Sequence, residues 1–135
     1  MTDKVLIDTS VWIDYFRYGS TELSQILEKL GRERRAATCG IIIAELLHGA
    51  KTSGEEQTFL RMAHSLPFIE ADREDWLETG ALLLQLRKKG ITVPLADALI
   101  ARLAIKSGCE LLAVDKHFDH FKAVRRFKRK GRARR

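Results

Sequence analysis

The sequence predicts an α/β layer fold with a mostly parallel central sheet, and three observations carry that prediction. Short aliphatic runs alternate with longer stretches of helical periodicity along most of the chain. Two of the runs, Val5-Leu6-Ile7 and Leu111 to Val114, are apolar throughout, the pattern of strands buried on both faces rather than one. Each of these two is followed at once by an aspartate, Asp8 and Asp115.

Taken in order, residues 4–7 read as the first strand, and about 10–16 and 21–30 as helices. Ala36 to Thr38 suggests a short strand and Ile41 to Ala50 a helix. Phe59, Met62, Ala63 and Leu66 form one stripe at helical spacing on a segment that starts near Gly54. Pro67 ends that helix, and Phe68-Ile69 follows as a short strand. Asp72, with Asp75 three residues on, has the form of an N-cap with an acidic first turn. The helix after it carries Trp76, Gly80, Leu83, Leu84 and Arg87 along one line, with Gly90 just past its end. Leu95 to Lys106 reads as a further helix, closed by Gly108, before the second apolar strand.

The 135 residues suffice for one domain with a substantial core, and at 45% hydrophobic with two Trp and six Phe the chain is not disordered in type. No apolar run approaches the ~18 residues of a membrane span, and no leader-like segment precedes the first strand. Cys39 and Cys109 are single and far apart. That spacing suits a reduced, cytoplasmic setting better than a disulfide scaffold or a zinc site. The net charge of +6 is unevenly spread: residues 122–135 hold nine Lys and Arg and no acid, leaving 15 basic against 18 acidic residues in 1–121. The expected division is a domain over 1–121 and a basic C-terminal tail over 122–135. Such a tail suits contact with nucleic-acid phosphates or an acidic partner through Lys128, Arg129, Lys130, Arg132, Arg134 and Arg135. A solubilising end that binds nothing is the competing reading.

Right-handed crossovers put the carboxyl ends of parallel strands on one edge, where ligands bind in open α/β sheets. Asp8 and Asp115 belong to that edge. Glu45, in IIIAELLHGA, and Asp97, in PLADALIARLA, share their oddity: each is a carboxylate among aliphatic and small residues. An isolated buried charge costs several kcal/mol, so such acids must be paired, hydrogen-bonded or bound to a metal. No Lys or Arg lies within three residues of Asp8 or Glu45. Four converging carboxylates would raise one another's pKa unless a cation neutralised them, and hard oxygen donors suit Mg²⁺ or Mn²⁺. Each acid also has a plain structural role open to it: Asp8 and Asp115 as helix caps, Glu45 and Asp97 on the solvent edge of amphipathic helices.

Other chemistry is poorly represented. Asp115, His117 and His120 could be arranged as a zinc site, though surface histidines fit the pattern better, and His48 and His64 read as packing or surface residues. The GxGxxG and GxxxxGK phosphate loops are absent, as is a nucleophile elbow. Asp8 has no second aspartate two residues on, which counts against an aspartyl-nucleophile phosphatase.

In order and spacing, VLIDTSVWIDYF, IIIAELLHGA and PLADALIARLAIKSGCELLAVDKHF resemble the small PIN-domain proteins, specifically the VapC-type toxins of toxin–antitoxin pairs. The resemblance spans residues 4 to about 121. It implies a PIN-like three-layer α/β/α sandwich and a Mg²⁺-dependent endoribonuclease, with Mn²⁺ as an alternative ion. It maps the family's acids onto Asp8, Glu45, Asp97 and Asp115, with Asp8 and Asp97 as principal metal ligands and Ser10 as a supporting hydroxyl. It further implies an RNA substrate cut to leave 5′-phosphate and 3′-hydroxyl ends, a homodimer, and a cognate antitoxin lying over the helices near the site. Two positions depart from the family pattern: Ala113 stands where many relatives have Thr, and His117 where many have a further acid. The competing function is a catalytically silent PIN module whose acids receive an arginine-rich partner peptide. A DNA-directed nuclease would keep the site and change the groove.

Overall fold

The computed structural model describes residues 2–19 and 21–128. Its sheet has five parallel strands in the order β3-β2-β1-β4-β5, comprising β1 (Val5–Ile7), β2 (Ala36–Cys39), β3 (Phe68–Ile69), β4 (Glu110–Leu112) and β5 (Arg125–Arg126). The helices are α1 (Thr9–Tyr18), α2 (Glu22–Arg32), α3 (Gly40–His48), α4 (Ser53–Ser65), α5 (Arg73–Lys88) and α6 (Leu95–Ser107), with a 3₁₀ turn at Lys116–His120. Successive crossovers step outward from β1 in one direction through β2 and β3, then return across it to β4. With right-handed connections that order sets α1–α4 against one face and α5–α6 against the other, a three-layer α/β/α fold.

The apolar strands occupy the centre, as their lack of alternation requires. Val5, Leu6, Ile7 and Leu111 have no exposed surface, and β1 pairs with β2 on one side and β4 on the other. Fully burying one such side chain contributes on the order of 1.5–3 kcal/mol, so this small cluster holds β1 in place between β2 and β4. From α4, Phe59 and Met62 enter the core, with Ala63 and Leu66 packed against it, as the stripe predicts. Gly108 ends α6 at φ 69°, and its N–H closes on Ala104 and Ile105 carbonyls. A side chain would be strained in that left-handed conformation.

Three elements differ from the sequence reading. On α5 the buried residues are Asp75 and Thr79, with Leu82, Leu83 and Leu86 packed against the core, whereas Trp76 and Leu84 are exposed. The apolar line follows hydropathy and misses the true inward face, because α6 offers that face two cations for Asp75 to meet. The second apolar strand stops at Leu112, and Val114 is 47% exposed. The chain turns there: Arg126 Nη2 donates to the Ala113 carbonyl at 2.7 Å. Finally, the sheet runs past residue 121. Within the segment read as tail, Arg125 and Arg126 pair with Glu110 and Leu111, and Phe127 N donates to Leu111 O at 2.8 Å.

Candidate metal-binding acidic site

The edge where β1 and β4 end side by side carries the site. Asp8 N donates to Leu112 O at 2.9 Å, so the residue that terminates β1 is fixed beside the end of β4. Asp8 is also the N-cap of α1: its Oδ2 accepts from Ser10 Oγ at 2.7 Å and from Ser10 N. The cap and the site position are thus one residue. It is only 5% exposed, and burial, more than the nearby charge of Glu45, pushes its carboxyl up despite the Ser10 hydrogen bonds.

Glu45 sits on α3 and is solvent-exposed. Its apolar neighbours Ile42, Ile43 and Leu46 take the inward side of the helix. Of the readings open to Glu45, the solvent edge of an amphipathic helix is the one α3 gives it: helical periodicity separates it from its apolar sequence neighbours. Its Oε1 accepts from Thr9 Oγ1 at 2.6 Å, which ties α3 to the start of α1. Cys39, at the end of β2, is buried beneath this corner. Burial first, then the negative charges of Glu45 and Asp8, push its thiol up to about 11, leaving it inert as a nucleophile.

Asp97 lies in the first turn of α6, after Pro94 has set the chain into the helix. Burial raises its pKa, a hydrogen bond with His117 lowers it, and the charges of Asp115 and Asp8 raise it again; the net direction is up. His117 Nδ1 is 2.9 Å from Asp97 Oδ2 and 3.0 Å from Asp115 Oδ1. Asp115 caps the 3₁₀ turn by accepting from His117 N at 2.8 Å.

Asp8 feels the charge of Glu45, and Asp97 those of Asp115 and Asp8, so the four acids form a chain of electrostatic neighbours. The close cluster of ligand atoms among the described residues joins Asp97 and Asp115 with His117 and includes neither Asp8 nor Glu45. Among the described residues none of the four forms an ion pair with Lys or Arg. Ser10 faces Asp8 rather than standing apart as an independent donor. Of the tail residues, Lys128 is exposed beside Phe127, while Arg129, Lys130, Arg132, Arg134 and Arg135 lie outside the described residues. One participant escaped the sequence reading, Thr9, whose signal was its place directly after Asp8. His117, which in sequence groups with Asp115 and His120 and suits a surface position better, closes instead on Asp97 and Asp115. Asp97, Asp115 and His117 each offer one ligand atom, all within 4.8 Å of one another, a donor set that fits a divalent cation.

The PIN domain model matches residues 5–124. Ribonuclease VapC11 of Mycobacterium tuberculosis is 35% identical over 119 residues, covering 85% of this chain and 89% of that protein. This chain belongs to the PIN-domain family, among the VapC proteins. Ribonuclease VapC1 of Methanocaldococcus jannaschii is similar at 32% over 120 residues, covering 88% of this chain and 82% of the relative. Among solved structures, a Rickettsia felis VapBC2 complex bound to promoter DNA superposes with a TM-score of 0.75 at 23% identity, covering 91% of this chain and 96% of that one. That likeness establishes the PIN fold. A toxin–antitoxin complex from Klebsiella pneumoniae gives a TM-score of 0.71 at 25% identity, covering 90% of this chain and 95% of that one.

Proposed function

We propose that this VapC-family chain is a divalent-metal-dependent endoribonuclease, the toxin of a toxin–antitoxin pair. One observation carries the metal dependence: Asp8, Asp97 and Asp115 gather where two buried strands end, and no Lys or Arg among the described residues neutralises them. Asp8 and Asp97 are the principal ligands in this reading, both pushed up chiefly by burial and with no described Lys or Arg beside them. A bound Mg²⁺ or Mn²⁺ would lower the pKa of its water and absorb charge on the phosphoryl oxygens. Ser10 holds Asp8 in place through Oγ, and Thr9 fixes Glu45 by one oxygen, leaving the other to orient the attacking water. Asp115 orients water or completes the ligand set. The chemistry needs no 2′-hydroxyl nucleophile.

Partners follow the relatives, whose solved structures include toxin–antitoxin complexes. The antitoxin would occupy an aromatic cleft of about 640 Å³ between α1, α2 and α4, lined by Trp12, Tyr15, Phe16, Leu27 and Met62, with Glu28 and Arg32 also lining it. A homodimer would bury the exposed apolar face of α5, where Trp76, Leu77 and Leu84 are 48%, 61% and 42% exposed.

The deciding experiment is RNA cleavage by the purified full chain in Mg²⁺ or Mn²⁺, with EDTA as control and Asp97→Asn as the inactive partner. Metal-dependent cleavage that EDTA stops is expected. A folded chain that leaves RNA intact with either ion, yet binds an arginine-rich antitoxin peptide through its acids, would instead establish the silent binding module; cleavage confined to DNA would change the substrate.

A further inference from the structure

Resting on the metal-dependent reading, we propose that His117 ligates the bound ion through Nδ1 beside Asp97 and Asp115, and that this nitrogen tilts the site from Mg²⁺ towards Mn²⁺ and related first-row ions. Nδ1 stands 2.9 Å from Asp97 Oδ2 and 3.0 Å from Asp115 Oδ1. Donors bound side by side to an octahedral ion at about 2.1 Å lie roughly 3.0 Å apart. The Nδ1–H hydrogen bond to Asp97 holds the ring at nearly that spacing, and an ion entering between them would replace the Nδ1 proton.

The main chain holds the ring at that place. Its own N–H is taken by Asp115 Oδ1, the 3₁₀ turn that carries it is anchored by Phe118 at 1% exposure, and Asp97 approaches from the separate element α6. Three side chains on two elements therefore converge without a shift of backbone, and the histidine is 41% exposed on its outer side, open to an entering hydrated ion. Mg²⁺ demands oxygen and gives up its water reluctantly, whereas the first-row divalent ions accept nitrogen donors with an affinity that rises from Mn²⁺ onward. A carboxylate at position 117 would keep the set all-oxygen and suit Mg²⁺. The imidazole does not.

The test uses the full chain loaded with Mn²⁺ and pulsed electron paramagnetic resonance to detect a directly bound imidazole nitrogen, with calorimetric titrations of Mn²⁺ and Mg²⁺. The expected results are nitrogen coupling that disappears in His117→Gln, and an Mn²⁺-over-Mg²⁺ affinity ratio that falls at least tenfold in His117→Asp. Circular dichroism confirms that each variant is folded. If Mn²⁺ binds in an Asp97-dependent way but shows no nitrogen coupling, or shows coupling that persists in His117→Gln, the ligand assignment is wrong while the nuclease reading stands. If neither ion binds, both are overturned.

Discussion

Arg102 Nε lies 3.0 Å from Asp75 Oδ1, joining the middle of α6 to the first turn of α5. Lys106 Nζ closes on the other carboxylate oxygen, and Asp72 N donates to it as well. Asp75 has no exposed surface, so it is more deeply buried than any acid of the candidate site. Burial alone would push its carboxyl up, but the hydrogen bonds from Lys106, the Asp72 backbone and Arg102 hold it well below the ordinary carboxylate range. The two kinds of buried acid are thus treated oppositely: Asp75 is compensated twice over, whereas Asp8 has no cationic side chain beside it. That contrast separates a structural carboxylate from one proposed as a ligand.

Asp75→Asn should therefore cost stability and spare chemistry. Removing the charge from between two cations that remain partly solvated is expected to cost about 3 kcal/mol, or roughly 10 °C in melting temperature. Cleavage per folded molecule should not change. The pH dependence has a definite sign. Folding lowers this pKa, so the stabilisation is complete above the unfolded value near ~3.9 and is lost as pH falls below it towards the folded value. Urea unfolding between neutral and acid pH should show a steep acid loss in the native chain and a shallower one in the variant.

Asp97→Asn should do the reverse. Burial first, then the charges of Asp115 and Asp8, leave the ionised form of Asp97 disfavoured in the fold. A raised carboxyl pKa means its charge weakens the fold near neutral pH, so neutralising it should leave the melting temperature equal or higher. Cleavage should fall at least about 100-fold through loss of a metal ligand. Full activity in Mg²⁺ or Mn²⁺ would remove Asp97 from the mechanism.

Gly31 offers a way to fill the proposed antitoxin cleft without disturbing the core. It lines the cleft near the end of α2, and a Cβ built there meets nothing within 4 Å. Gly31→Trp should leave thermal stability unchanged or slightly higher, since glycine is a poor helix former. Affinity for the cognate antitoxin, measured by calorimetry, should drop tenfold or more. Unaltered affinity would move the docking surface elsewhere.

The tail can be removed cleanly, because the last strand is already closed by Phe127 N on Leu111 O at 2.8 Å. A chain ending at Phe127 lacks Lys128, Arg129, Lys130, Arg132, Arg134 and Arg135. If these grip RNA, the slope of log affinity against log salt should flatten by roughly 0.7 for each phosphate they no longer neutralise. An unchanged slope would leave the tail with no role in RNA binding.

The sequence by itself determined the frame. Val5-Leu6-Ile7 and Leu111-Leu112 could be read as central strands because a segment buried on both faces needs no alternation, and Asp8 and Asp115 followed them by simple adjacency. Pro67, Gly90 and Gly108 marked helix ends for reasons local to the backbone. Tertiary structure alone decided which charges meet. Asp75 reads only as part of an acidic first turn until α6 brings Arg102 and Lys106 against it, and that side of α5 then turns inward. Glu45 reads equally as a site acid or a solvent-edge residue until the helix turns it outward to Thr9, and His117 reads as a surface residue until α6 sets Asp97 beside it. Hydrophobic burial is written along the chain because each residue carries its own transfer free energy. Electrostatic pairing is not, because a charge's energy depends on what the fold places a few ångströms away.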